Sequence, residues 1–108
     1  MGRNASLSGR SAFKRLHGQG NAWSSEGVRI RYLLTAEDIP RFAISVPKTC
    51  GNAVVRNRIR RVWREAISLV VPNLPPGDYH IMIGDPALAG TFMSARQMIT
   101  SFKDTVAI

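Results

Sequence analysis

The chain has one cysteine, Cys50. A lone thiol rules out an internal disulfide framework, suits a reducing compartment, and is read here as structural. Acidic residues are scarce too: Glu26, Glu37, Asp38, Glu65, Asp78, Asp85 and Asp104 stand against 15 lysines and arginines. Those carboxylates form no spaced set suited to two metal ions, so no protein metal site and no catalytic residue of this chain's own is expected. The two histidines, His17 and His80, lack a nucleophile pattern nearby, and His80 is expected at a surface or strand edge. No apolar run reaches the length of about 20 residues that a membrane-spanning helix needs. The N-terminus begins basic without a following apolar segment, unlike a secretory signal. A cytoplasmic protein with no membrane contact is the expectation.

What the chain does have is positive charge on a globular composition. Its 108 residues are 44% hydrophobic, enough for one core and one domain over 1–108, with 1–10 expected as a mobile basic arm. The formal charge is +8, a self-repulsion usually explained by a polyanionic partner. It is unevenly placed. Residues 1–64 carry 13 basic and 3 acidic side chains, a net of +10, and residues 65–108 carry 2 and 4, a net of −2. Solubility needs no such asymmetry, whereas a one-sided binding surface does.

Local patterns give the elements. Ser11 is placed to cap a short helix through His17, with Phe13, Leu16 and His17 on one side and Gly18 and Gly20 ending it. A polar loop over 18–27 follows. Val28, Ile30, Tyr32 and Leu34 alternate with Arg29, Arg31 and Leu33, which predicts a strand with a basic outer face. After a loop over 36–40, Phe42, Ile44 and Val46 form a second strand, expected to pair antiparallel with the first, and Pro47 ends it. Asn52 is an N-cap for a helix over Ala53–Val70, closed by Pro72, Pro75, Pro76 and Gly77. Tyr79, Ile81 and Ile83 read as another strand, followed by a loop marked by Gly84, Asp85, Pro86 and Gly90. Ser94 with Gln97 is a capping-box pattern opening a last helix with Met98, Ile99, Phe102 and Val106 inward. The order predicts an α+β, two-layer fold: three helices on a mixed sheet of about four strands, with room for one strand between residues 20 and 40.

The helix over Ala53–Val70 carries the functional signal. At 100° per residue, Val55, Ile59, Val62, Trp63, Ala66, Leu69 and Val70 share one sector. Arg56, Asn57, Arg60, Arg61 and Arg64 share the opposite one, with Arg58 on the flank beside Glu65. A guanidinium is always charged and offers a planar donor fork that fits phosphate oxygens. A solvated face held by ion pairs would need more carboxylates than Glu65, and Arg61–Glu65 runs in the less favourable order. The face predicts RNA or another polyanion as partner. A DNA-binding helix-turn-helix is disfavoured, because Pro72–Gly77 leads to a strand instead of a second helix. A small ribosomal-type RNA-binding protein or an RNA chaperone stays open on composition.

The run Phe42-Ala43-Ile44-Ser45-Val46-Pro47-Lys48 and then Gly51-Asn52-Ala53-Val54-Val55-Arg56-Asn57-Arg58-Ile59-Arg60-Arg61 resembles the bacterial ribonuclease P protein family. Arg56-Asn57-Arg58 after Gly-Asn-Ala-Val is its most specific part. Leu7, Phe13 and Gly20 look like that family's opening helix and following loop, and Tyr79–Ile83 like its last strand. The resemblance implies a protein that assists a catalytic RNA in Mg²⁺-dependent removal of the 5′ leader of precursor tRNA. It implies that the Mg²⁺ is held mainly by the RNA and substrate and not by a protein site, and no obligate protein partner is expected. It further implies RNA docking through Arg56, Asn57, Arg58, Arg60, Arg61 and Arg64. Phe13, His17, Tyr32, Ser45 and Lys48 are implied in a cleft for the single-stranded leader, where stacking and cations hold RNA without reading sequence. A left-handed βαβ crossover is implied as well, against the general right-handed rule. Pro47, Thr49 and His17 depart from the family's usual residues, and Arg29 and Arg31 make the strand over 28–34 more basic than usual.

Overall fold

The computed structural model describes residues 5–6, 9–25, 27–34, 40–70, 74–84 and 92–106. The expected loops over 36–39 and 85–90, Pro72, Leu7, and most of the expected N-terminal arm lie outside them. Inside them are β1 (Ala5–Ser6), α1 (Arg10–Gln19), β2 (Asn21–Ser25), β3 (Val28–Leu34), β4 (Arg41–Ser45), a 3₁₀ turn (Lys48–Cys50), α2 (Ala53–Val70), β5 (Gly77–Ile83) and α3 (Phe92–Val106). Three helices and a mixed sheet make an α+β fold. Four longer strands carry the sheet, and two-residue β1 adds an edge.

Strand order is β1-β4-β5-β3-β2. The expected direct pairing of β3 with β4 does not occur. β5 lies between them, antiparallel to β3 and parallel to β4, with Ile81 opposite both Ile30 and Ile44. Pairing two strands across a short loop is the simplest choice only when no more apolar strand competes for the centre. β5 does, with Asp78, Tyr79, His80, Ile81 and Ile83 all buried. This also corrects the placing of His80 at an edge.

A second correction concerns residues 21–25, read as part of a polar loop. They form β2, paired in register with β3 from Asn21–Tyr32 to Ser25–Val28. Trp23 turns its ring edge-on to Phe102, centroids 5.6 Å apart. One aromatic among serines and asparagine gave too weak an alternation to mark a strand.

The two faces of the sheet are covered differently. Odd-numbered residues of β5 meet α2 and α3. Tyr79 stacks on Phe42 and meets Phe102 edge-on, inside a core that includes Ile59, Trp63, Ile67 and Ile99. The Tyr79 hydroxyl donates to the Pro75 carbonyl, and burial pushes its pKa well above the usual phenol value. The opposite face is crossed by α1, which packs on β3 and β5. Leu16 is fully buried there, apart from the main core.

Helix ends differ in how far local residues specify them. α2 starts as expected: the Val55 amide donates to Asn52 Oδ1 at 3.0 Å. Gly51 just before it has φ 140°, a conformation open to glycine. α1 starts two residues earlier than expected, its cap position falling on Gly9 at φ 96° with no side-chain cap, so Ser11 lies in its first turn. It ends at Gly20, whose amide donates to the Leu16 carbonyl at 2.8 Å. A Cβ on Gly20 would collide with the Leu16 carbonyl and lie 2.7 Å from the Tyr32 carbonyl. Ser94 is inside α3 and does not open it.

Candidate RNA interface

α2 presents the expected basic face with some differences in detail. Ile59, Trp63, Ala66 and Ile67 form its buried side. Ile67 was not in the expected sector, and Leu69, which was, is 53% exposed. α2 also packs against α3, and a wheel drawn for one helix alone leaves that neighbour out. Arg58, Arg61 and Arg64 are exposed. Arg56 donates through Nε to the Gly51 carbonyl at 3.2 Å, and Arg60 through Nη1 to Asn57 Oδ1 at 2.8 Å. Those two arginines are partly oriented before any ligand arrives, which lowers the ordering cost of a contact. No salt bridge joins α2 arginines to a carboxylate among the described residues, so the row stays electrostatically open to phosphate.

The second group of expected residues meets on the α1 face of the sheet. Phe13 and His17 project from α1 and both meet His80 of β5 edge-on, with ring centroids 5.2 and 5.1 Å apart. Ser45 Oγ lies 2.6 Å from His80 Nε2, and His17 Nε2 lies 2.9 Å from His80 Nδ1. Lys48, exposed on the 3₁₀ turn, follows the Ser45 end of β4. Phe13, His17 and Ser45 are thus brought together, and His80 joins them unforeseen. The only sequence signal for it was its even-numbered position between Asp78 and Met82 on β5. Burial, then the neighbouring His17, pushes the His80 pKa down, favouring neutral imidazole.

Tyr32 does not belong to this cluster. Its ring lies edge-on to Phe102 at 5.3 Å, on the core face of the sheet. Successive strand residues point to opposite faces, so the residues of β3 that share the face of His80 are Arg31 and Leu33. Arg31 is not a free outer-face cation: its Nη2 donates to the carbonyls of His17 at 2.7 Å and Gly20 at 3.4 Å. It holds the C-terminal end of α1, where helix carbonyls lack partners.

A Ser–His pair at this distance also begins a hydrolytic triad. Here the third member is an imidazole, which cannot stabilise an imidazolium as a carboxylate does. The nearby carboxylate, Asp78, is held by Arg41 and Arg15 instead. The cluster is chemically a hydrogen-bonding surface edged by an aromatic ring.

Fold and surfaces together define a small basic α+β protein with an arginine-rich helix face and, on the other side of the sheet, a separate polar–aromatic cluster. The chain belongs to the Ribonuclease P family, whose model matches residues 1–106. It is 49% identical over 51 residues to the ribonuclease P protein component of an Exiguobacterium species, covering 47% of this chain and 45% of that protein. It is 39% identical over 82 residues to the Coprothermobacter proteolyticus ribonuclease P protein component, covering 76% and 67%. The alignment thus spans less than half of the first relative's length. The fold matches the Staphylococcus aureus RNase P protein with a TM-score of 0.81 at 22% identity, over 95% of both chains.

Proposed function

We propose that this chain is the protein subunit of ribonuclease P. It docks through α2 on the catalytic RNA and guides the 5′ leader of precursor tRNA across the α1 face of the sheet. The observation that carries this reading is the arginine face of α2 in a chain of this family. Arg58, Arg61 and Arg64 stand exposed, and Arg56 and Arg60 are pre-oriented. Asn57 supplies a neutral donor and acceptor suited to a sugar hydroxyl or base edge. The cleft of Phe13, His17, Ser45, Lys48 and His80 then takes a single strand, by stacking on Phe13 and hydrogen bonding along its floor.

The Mg²⁺ of the reaction belongs with RNA and substrate. The described carboxylates do not fit such an ion: Asp78 is buried under Arg41, Asp104 pairs with Lys103, and Glu65 lies apart on α2. This chain's own part is binding and orientation, and phosphodiester cleavage is assigned to the RNA.

Reconstitution tests the proposal. Added to a bacterial ribonuclease P RNA at low Mg²⁺, the protein should restore leader removal, and alone it should cleave nothing. The Arg58→Ala, Arg61→Ala, Arg64→Ala triple variant should bind that RNA more weakly. Its log–log salt slope should be shallower by a bit under one unit per lost phosphate contact. A wild-type slope in that variant excludes this face as the docking surface.

A further inference from the structure

We infer that Ser45, His80 and His17 act as one proton-coupled site for a phosphate of single-stranded RNA. His80 is the specificity-determining residue that links the other two. The inference rests on the leader-cleft reading only for which RNA strand the site meets.

The geometry is a three-membered chain, Ser45 Oγ to His80 Nε2 at 2.6 Å and His80 Nδ1 to His17 Nε2 at 2.9 Å. Ser45 and His17 are exposed, and His80 between them is buried. With both rings neutral, the protons have two arrangements. In one, Ser45 donates to His80 and His80 donates to His17, leaving the His17 Nδ1–H as an outward donor and Ser45 as an outward acceptor. In the other, all three directions reverse, and Ser45 becomes the donor and His17 the acceptor. Either way the unit shows one donor and one acceptor, a poor match to an acceptor-only phosphate. One added proton changes this. His80 then carries N–H on both nitrogens and donates to Ser45 Oγ and to His17 Nε2. The Ser45 hydroxyl and the His17 Nδ1–H both point outward, and the unit bears a positive charge. Two donors plus a charge is what a phosphate oxygen pair accepts.

The surroundings make this proton depend on the anion. Asp78, the nearest carboxylate on β5, is occupied by Arg41 of β4 and Arg15 of α1. Arg31 of β3, opposite His80 in register, adds a further cation whose Nη2 serves the α1 carbonyls. Exposed Arg29 of β3 and Lys48 after β4 are cationic as well. Four arginines, one lysine and one committed carboxylate leave the unit without a counter-charge, and burial already lowers the His80 pKa. An arriving phosphate supplies the counter-charge, raises the pKa in the complex, and draws in the proton. Between the free and bound pKa values, binding takes up a proton. The extra affinity is fully present below the free value and is lost as pH rises through the bound value.

Binding of the full-length protein to a short single-stranded RNA, measured from pH 8 to pH 5.5, tests this. Arginine contacts do not titrate in that range, so they add affinity but no slope. Wild type should bind more tightly toward acid, approaching about tenfold per pH unit at the steepest point. His80→Gln, whose amide still bridges but cannot take a proton, should lose the slope whatever its affinity at pH 8, whereas His17→Gln, whose amide oxygen still accepts from protonated His80, should retain a slope. A flat wild-type profile, or a full slope in folded His80→Gln, overturns the proposal. A neutral-backbone analogue of the same RNA should show no slope, and an equal slope would make a base edge the ligand and overturn the phosphate assignment. In the holoenzyme, precursor tRNA should show the slope and mature tRNA should not. Equal slopes there, with the RNA result intact, support the phosphate site while sinking the leader-cleft reading.

Discussion

Arg41 and Asp78 face each other fork to fork, Nε to Oδ1 at 2.9 Å and Nη2 to Oδ2 at 3.1 Å. The Asp78 side chain is fully buried and that of Arg41 is 28% exposed, so the two partners are not equivalent. Arg41→Met strands a buried carboxylate with only Arg15 at 3.5 Å, and should cost about 3 kcal/mol of unfolding free energy in urea titration. Asp78→Asn keeps an acceptor in place and frees a cation that can reach water, so its loss should be clearly smaller. Equal losses would mean that the ion pair is not what the site needs.

Acid should destabilise the protein partly through His80. Its folded pKa lies below the ordinary 6.5, chiefly from burial and then from His17. Between the two values the unfolded chain holds more protons, so this contribution is complete above pH 6.5 and disappears as pH falls toward the folded value. The stability difference between wild type and His80→Gln, followed by denaturant unfolding from pH 7.5 to 5, should shrink toward acid. A constant difference would show that His80 does not titrate differently on folding.

The α2 cap gives a simpler expectation. Asn52→Ala removes the acceptor of the Val55 amide and should cost about 1 kcal/mol, with Asn52→Asp close to wild type. Thermal or urea unfolding of the three proteins checks it.

Arg31→Met should loosen α1 while sparing the main core. It removes the donors at the His17 and Gly20 carbonyls, which hold the helix end over the cleft. Amide exchange should quicken in residues 16–20 and stay slow in β5. Leader discrimination should fall with it, because Phe13 and His17 ride on that helix. Unchanged exchange would reassign Arg31 to the surface role that its sequence position suggested.

How much of this was readable beforehand varies by the range of the interaction. The α2 boundaries, its Asn52 cap and its arginine face follow from periodicity and local residue chemistry, and the structure keeps them. The place of β5 at the sheet centre does not follow, because the choice between β3–β4 pairing and insertion of β5 depends on contacts more than 30 residues apart. His80 was legible as a strand residue but not as a cleft residue, since its partners Phe13, His17 and Ser45 come from two other elements. Tyr32 went the other way. Its alternation with Arg31 already placed it with Ile30 and Val28 on the core side, and the family resemblance pulled it toward the cleft.

The central position of β5 also bears on how the chain reaches its fold. β3 and β4 have no shared ladder, so neither inner edge is satisfied until residues 77–83 have been made and threaded between them. With only the first 70 residues made, β3 and β4 each keep an open inner edge, and α2 still lacks the α3 face it packs against. Non-local closure of this kind is slow relative to helix formation, and open edges invite pairing with other chains. A polyanion that binds α2 early would thus meet a half-built sheet. Refolding rates should accordingly respond strongly to substitutions in β5 and weakly to those in α2, a contrast that stopped-flow measurement of Ile81→Val against Ile59→Val would resolve.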